Sequence, residues 1–292
     1  MFSQKKALFL ISLLLINLIL STPTQNQDAD AAYLAFKIYD GVDKLNTNSG
    51  CVIKAYHNWA NGAYAIWKHY RTKECYVVIR GTKIEEISDI FTDANVIDIW
   101  DYEIKAHVHN GAKLRGDFIL NDIDDALKVC KNEIIITGHS LGGSVAHYIF
   151  LKYVKRHYYD WGQQYKAKKF KAVMFGAPQL VSRSNNQKLL QFEKNINWYK
   201  YENDPFPEII STFKKTSLPA VINLLFKSYL WISKSILTTV HSVVYGNHIP
   251  GNRYKLYKNG KKIWYYKFPW ENSNMLDHIR VWRTYDAIDK NG

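Results

Sequence analysis

The stretch Ile134-Ile135-Ile136-Thr137-Gly138-His139-Ser140-Leu141-Gly142-Gly143 constrains the fold of this chain more than any other. Three β-branched residues in a row read as a strand covered on both faces. Beyond the serine the apolar positions become Val145, Ile149, Phe150, Tyr153 and Val154, a helical spacing. The period changes at Ser140, so this residue sits on a tight strand-to-helix turn. Gly138 and Gly142 flank it where such a turn leaves no room for a Cβ atom, and Gly143 allows close helix packing. The G-x-S-x-G arrangement raises a serine hydroxyl above a sheet edge, where it can act as a nucleophile.

Similar strand signals recur along the chain. Cys75-Tyr76-Val77-Val78-Ile79-Arg80 is a near-continuous apolar strand ending in Gly81-Thr82, residues 170–175 form another before Gly176-Ala177-Pro178, and residues 196–201 a third before Glu202-Asn203-Asp204-Pro205. Residues 31–39 and 114–130 read as helices, and Asn259-Gly260 marks a β-hairpin between 254–257 and 262–266. Strands alternating with helices predict an α/β fold with a central, mainly parallel sheet flanked by helices. Active sites of such sheets lie at the carboxyl ends of the strands.

That edge holds the candidate chemistry. The N–H and hydroxyl of Thr82 can face a developing oxyanion beside the N–H of Leu141, the residue after the nucleophile. An activated serine also needs an imidazole base and a carboxylate to hold the imidazole, following in that fold in the order acid, then histidine. Asp204 is the acid of choice, at a strand's carboxyl end with Pro205 fixing the chain beyond it. Of the later histidines, His241 lies in an apolar segment and His248 in a turn, which leaves His278 as base. His57 and His69 read as packed or surface residues. His107 and His109 alternate on one strand face as metal ligands would, but no third ligand is evident and a structural role is expected. Neither metal nor organic cofactor is expected.

The ends and composition add a compartment. Residues 1–21 carry Lys5 and Lys6 followed by an apolar run over 7–20, too short to span a bilayer. This is the pattern of a secretory signal peptide, and it predicts export, outside the cell or to a digestive vacuole. Residues 22–292 form a single predicted domain. The net charge of +13 suits an anionic surface such as phospholipid, although a lysine-rich soluble face has the same composition. Dispersed basic residues in an exported chain argue against a nucleic-acid partner. Of three cysteines, Cys51 with Cys75 is the expected pair and Cys130 is expected buried and free, on the helix face of Ile119, Ile123 and Leu127. The amphipathic stretch 83–102 reads as a lid or a fixed surface helix. Over 207–246 a narrow polar stripe in an apolar segment reads as a lipid-facing helix or one packed on the core.

Together these residues resemble the class 3, or fungal-type, triacylglycerol lipases. The resemblance runs through Val78 to Thr82, the segment 88–93, His109-Asn110-Gly111, Gly138 to Gly143, Phe175-Gly176-Ala177-Pro178, Asn203-Asp204-Pro205 and Asp277-His278. It implies an α/β-hydrolase fold and cleavage of lipid esters through an acyl-enzyme, with Ser140 as nucleophile, Asp204 as acid, His278 as base, and Thr82 with Leu141 as oxyanion hole. Two departures stand out: Ala112 replaces the usual aromatic after H-x-G, and the connection 207–246 is long. A phospholipase or non-lipid carboxylesterase on the same scaffold, or a non-catalytic membrane-binding module, are the alternative functions.

Overall fold

The computed structural model describes residues 27–58, 62–82, 98–157, 169–182, 184–201, 252–256 and 262–264. The expectations for the leader, the hairpin turn, Asp204, His278 and the stretch 207–246 fall outside the described residues. Strands β1 (Gly50–Asn58), β2 (Gly62–His69), β3 (Cys75–Ile79), β6 (Ile134–His139), β7 (Phe170–Phe175), β8 (Ile196–Tyr201), β9 (Asn252–Leu256) and β10 (Lys262–Trp264) lie side by side in that order. From β3 to β9 neighbouring strands are parallel; both margins of the sheet are antiparallel. The predicted mainly parallel α/β sheet is therefore present.

Helices α1 (Gln27–Lys37), α2 (Asn110–Leu127) and α3 (Leu141–Lys155), with the short α4 (Gln187–Leu190), complete the described elements together with three 3-10 turns. Alternation along a strand decides which helix it meets. Cys75, Val77 and Ile79 of β3 point into a core shared with Ile119 and Ile123 of α2 and Val145 and Ile149 of α3. Tyr76 and Val78 point the other way, onto Ala31, Leu34 and Ala35 of α1. Burial on both faces is why these strands read as unbroken apolar runs rather than as alternating ones. On the α1 side, Asp28 accepts a hydrogen bond of 2.8 Å from the Asn197 side chain and another from the Tyr199 hydroxyl, tying the helix to β8.

Residues 98–101, expected within an amphipathic helix or lid, form instead strand β4 (Asp98–Asp101), paired with β5 (Ala106–His109) in a separate hairpin. Asp101 explains the difference. Its buried carboxylate accepts from the backbone N–H of Glu103 and Ile104 at 2.9 and 3.1 Å, from Tyr148 Oη at 2.9 Å, and pairs with Lys152 at 3.3 Å. Burial alone would push this carboxyl up, but the Ile104 N–H, Lys152, Tyr148 and Lys113 outweigh it and hold the group below its usual value. The hairpin is thereby bolted to α2 and α3. Removing one partner of such a buried pair typically costs about 3–5 kcal/mol.

The cysteines pair differently from expectation: Cys75 is bonded to Cys130, and Cys51 is free. Strand register gives the reason. Cys51 lies opposite Lys68, and Lys68 opposite Cys75, so Cys51 and Cys75 are two strands apart. That separation is about 9–10 Å, beyond the reach of a disulfide. Cys130, just after α2, descends beside the first residue of β3, with the two Cα atoms 5.9 Å apart. Closing a 55-residue separation stabilises the fold by about 4 kcal/mol in the chain-entropy treatment. Reduction, or Cys75→Ala with Cys130→Ala, should lower the denaturation midpoint accordingly, whereas Cys51→Ala should leave it within about 0.5 kcal/mol.

One core residue sets a pH limit. His147 of α3 is fully buried against Trp198, at 5.4 Å between ring centroids, and neither ring nitrogen has a hydrogen-bond partner among the described residues. Burial pushes its pKa down from 6.5 to about 3. Below 6.5 the unfolded chain therefore takes up a proton that the folded chain refuses. The contribution to stability is intact above 6.5 and is lost towards pH 3, at roughly 1.4 kcal/mol per pH unit. His147→Leu should flatten the decline in urea-unfolding stability between pH 6.5 and 4; an unchanged slope would show that other groups cause it.

Candidate active site

Parallel pairing of β3 with β6 determines what can meet at the sheet's carboxyl edge. Ile79 lies opposite Gly138. Continued past the strands, this register sets Gly81 beside Ser140. The contacts agree: a Cβ built on Gly81 would fall 3.2 Å from Ser140 Cβ and 2.5 Å from the His139 carbonyl oxygen. The turn after β3 and the turn after β6 are thus in direct contact.

Ser140 has φ 56° and ψ −132°, a conformation that side chains rarely adopt. Holding a non-glycine residue there costs about 1–3 kcal/mol and persists only where the surroundings impose it. Here the Ser140 N–H donates to the Phe175 carbonyl of β7 at 3.0 Å, and the Ser140 carbonyl accepts from the Gly143 N–H at 3.0 Å. Both ends of the residue are fixed, one by the sheet and one by the first turn of α3. Ser140 itself is 1% exposed. Leu141 begins α3, whose first N–H groups have no intrahelical partners and carry the positive end of the helix dipole. An anion forming at the serine would meet that end.

The close approach depends on missing side chains. A Cβ on Gly142 would lie 2.3 Å from the Ile79 carbonyl oxygen and 2.8 Å from the Gly81 nitrogen, and one on Gly138 would lie 2.5 Å from Gly142. These are backbone atoms, which cannot swing aside. Gly143 in turn abuts Ala177, and Ser144 Oγ donates to the Pro178 carbonyl, which anchors the end of the Phe175 to Pro178 segment to α3. Thr82 is partly exposed at the edge, at the end of the described turn. Asp204, three residues beyond β8, and His278, beyond β10, fall outside the described residues. β8 ends at the same edge as β6, one strand removed.

Other histidines have local explanations. His69 Nδ1 accepts from the N–H groups of Arg71 and Thr72, each at 3.1 Å, and closes a turn. His107 packs its edge on Trp100 at 4.8 Å, and burial lowers the pKa of His109. Among the described residues no cluster of three metal-ligating side chains occurs.

Three residues that the sequence left without a role border this edge. Tyr39 Oη and His139 Nδ1 share a hydrogen bond of 3.1 Å. Arg80 is buried with Nη1 3.4 Å from His57 Nε2, and Arg115 of α2 donates from Nη2 to the Arg80 carbonyl. No local pattern marks Tyr39 or Arg115 as chemical; only the fold brings them here. We expect Gly142→Ala, which pushes α3 off the turn after β3, to lower both thermal stability and any activity of this site; a variant with unchanged melting temperature would contradict the tight contact.

Residues 76–214 match the family model described as Lipase (class 3). Among solved structures, the chain resembles a Rhizomucor miehei lipase in complex with its propeptide, with TM-score 0.58 and 15% identity over 86% of this chain and 77% of that one. It also resembles a Penicillium expansum triacylglycerol lipase, with TM-score 0.55 and 14% identity over 80% of each chain. A third, a triacylglycerol lipase whose catalytic centre is a serine protease triad, gives TM-score 0.59 and 15% identity over 88% of this chain and 94% of that one. At these identities the likeness is one of fold. No curated protein matches the chain significantly.

Proposed function

We propose, from the match of residues 76–214 to the Lipase (class 3) family model, that this chain hydrolyses lipid esters through an acyl-enzyme formed on Ser140. The observation that carries the reading is the forced backbone of Ser140, at φ 56°, directly beside the Gly81-Thr82 turn. A strained serine at the carboxyl end of a parallel strand, with a helix N-terminus behind it, is the arrangement that acyl transfer requires.

In the proposed reaction Ser140 Oγ attacks the ester carbonyl while His278 takes its proton. The carbonyl oxygen, now an oxyanion, is received by Thr82 and the Leu141 N–H. His278 then gives the proton to the departing alcohol, and Asp204 holds the imidazole in its working tautomer and stabilises its charge. Water, deprotonated by the same imidazole, releases the acid and restores the serine. This chemistry needs no metal or cofactor. The leader 1–21 supports export, to the outside of the cell or a digestive vacuole. The amphipathic stretch 207–246 and the basic charge support action at a lipid–water interface.

A panel of p-nitrophenyl esters, triglycerides and phospholipids tests the reading. Turnover of triglyceride by the intact chain is the expected result; phospholipid or short-chain ester turnover alone would move the substrate to those classes. Binding to lipid with no ester turnover would leave a membrane-binding module. Ser140→Ala should cost about six orders of magnitude in kcat. Thr82→Val, which removes the hydroxyl and keeps the N–H, should cost about 100- to 1,000-fold. Activity surviving in Ser140→Ala would locate the nucleophile elsewhere.

A further inference from the structure

The peptide unit joining Arg80 to Gly81 immediately precedes Thr82, and side chains from two separate helical segments grip it. Its carbonyl accepts a hydrogen bond from Arg115 Nη2 on α2. On its other side the Tyr39 phenol oxygen packs against Gly81, where a Cβ would fall 2.4 Å from it. Tyr39 belongs to the 3-10 turn Ile38–Asp40 that follows α1. The same phenol oxygen is bonded to His139, the residue before Ser140, and the two rings meet edge to face at 5.8 Å. One hydroxyl therefore touches both the turn carrying the nucleophile and the turn carrying Thr82.

The electrostatics point the same way. Arg80 is 6% exposed, and the Nε atoms of Arg80 and Arg115 are buried without a hydrogen-bond partner among the described residues. Burial, together with the neighbouring Arg80 charge, lowers Arg115 to about 10, still protonated at neutral pH. Two cations behind this turn favour negative charge in front of it. Burial pushes the Tyr39 phenol up, so it remains a neutral hydroxyl. An oxyanion donor acts through preorganisation, and displacements of about 0.5 Å already erode it.

Resting on the hydrolase reading above, we infer that Tyr39 and Arg115 are positioning residues for the oxyanion turn: together they fix the Arg80–Gly81 peptide, and Tyr39 locks it to the nucleophile turn through His139. Neither touches substrate. Their effect is exerted on Thr82 and therefore on the transition state rather than on ester binding.

The test uses the full chain, a soluble p-nitrophenyl butyrate assay, and a trifluoromethyl ketone whose serine adduct carries an oxyanion. Tyr39→Phe and Arg115→Met should each lower kcat by about 10- to 100-fold with KM changed less than about twofold. Affinity for the ketone should fall by the same factor as kcat/KM. The double variant should lose little more than the worse single one, because both grips act on one peptide. Arg115→Lys, which retains a cation and a donor, should recover part of the rate. The inference is overturned if both single variants keep kcat/KM within twofold, if the loss appears in KM alone, or if melting temperature falls while ketone affinity is unchanged. An intact chain that turns over no ester would overturn the hydrolase reading itself.

Discussion

Contact between backbones at the carboxyl ends of β3 and β6 is the constraint on which the rest of the structure depends. Side chains normally keep a helix about 10 Å from a sheet, but α3 comes in far closer because Gly138 and Gly142 meet with only hydrogen atoms between them. That approach brings the first turn of α3 under the turn after β3. It also leaves Ser140 no ordinary conformation: its nitrogen is committed to β7 and its carbonyl to α3, and φ 56° is what joins them. The strain is local, and the apolar burial of β3, β6, α1 and α3 on both sheet faces supports it.

The interior treats its charges in two ways. On the α2 and α3 side, Asp101 lies among Lys152, Lys113, Tyr148 and two backbone N–H groups, so positive and negative groups balance and the β4–β5 hairpin is fixed. Near the Gly81 turn, Arg80 and Arg115 lie close together, and their buried Nε atoms find no acceptor among the described residues. Buried donors strengthen the local field, and these lie next to the turn where the proposed reaction develops negative charge.

The central strands could be read in the sequence wherever burial was two-sided, because uninterrupted apolar runs such as 75–79 and 134–136 leave few alternatives. Of the segment 83–102, whose first fifteen residues lie outside the described ones, residues 98–101 form a strand that was not foreseen, because an acidic residue such as Asp101 gives no sign in the sequence of being a buried hub. The cysteine pairing was misread for a related reason: it depends on strand register, and Cys51 and Cys75 are separated by β2. The strand-to-helix turn at Ser140 was legible because its glycine pattern is local. Tyr39 and Arg115 were not, since they come from segments 41 and 35 positions away from Arg80 in opposite directions along the chain, and are assembled only by packing.

This division between local and assembled features bears on how such a site can arise. In serine hydrolases stripped of a triad member, oxyanion donors and binding alone still leave about 1,000- to 10,000-fold catalysis over water. Here the nucleophile turn and the oxyanion turn are coupled by strand register between β3 and β6, within the described sheet, and need no later segment to bring them together. The carboxylate and imidazole expected at Asp204 and His278 follow β8 and β10 in the chain. The contact between the Ser140 turn and the Gly81 turn is therefore a property of the central strands. In the proposed reaction, base and acid act on a nucleophile turn whose backbone β6, β7 and α3 already fix.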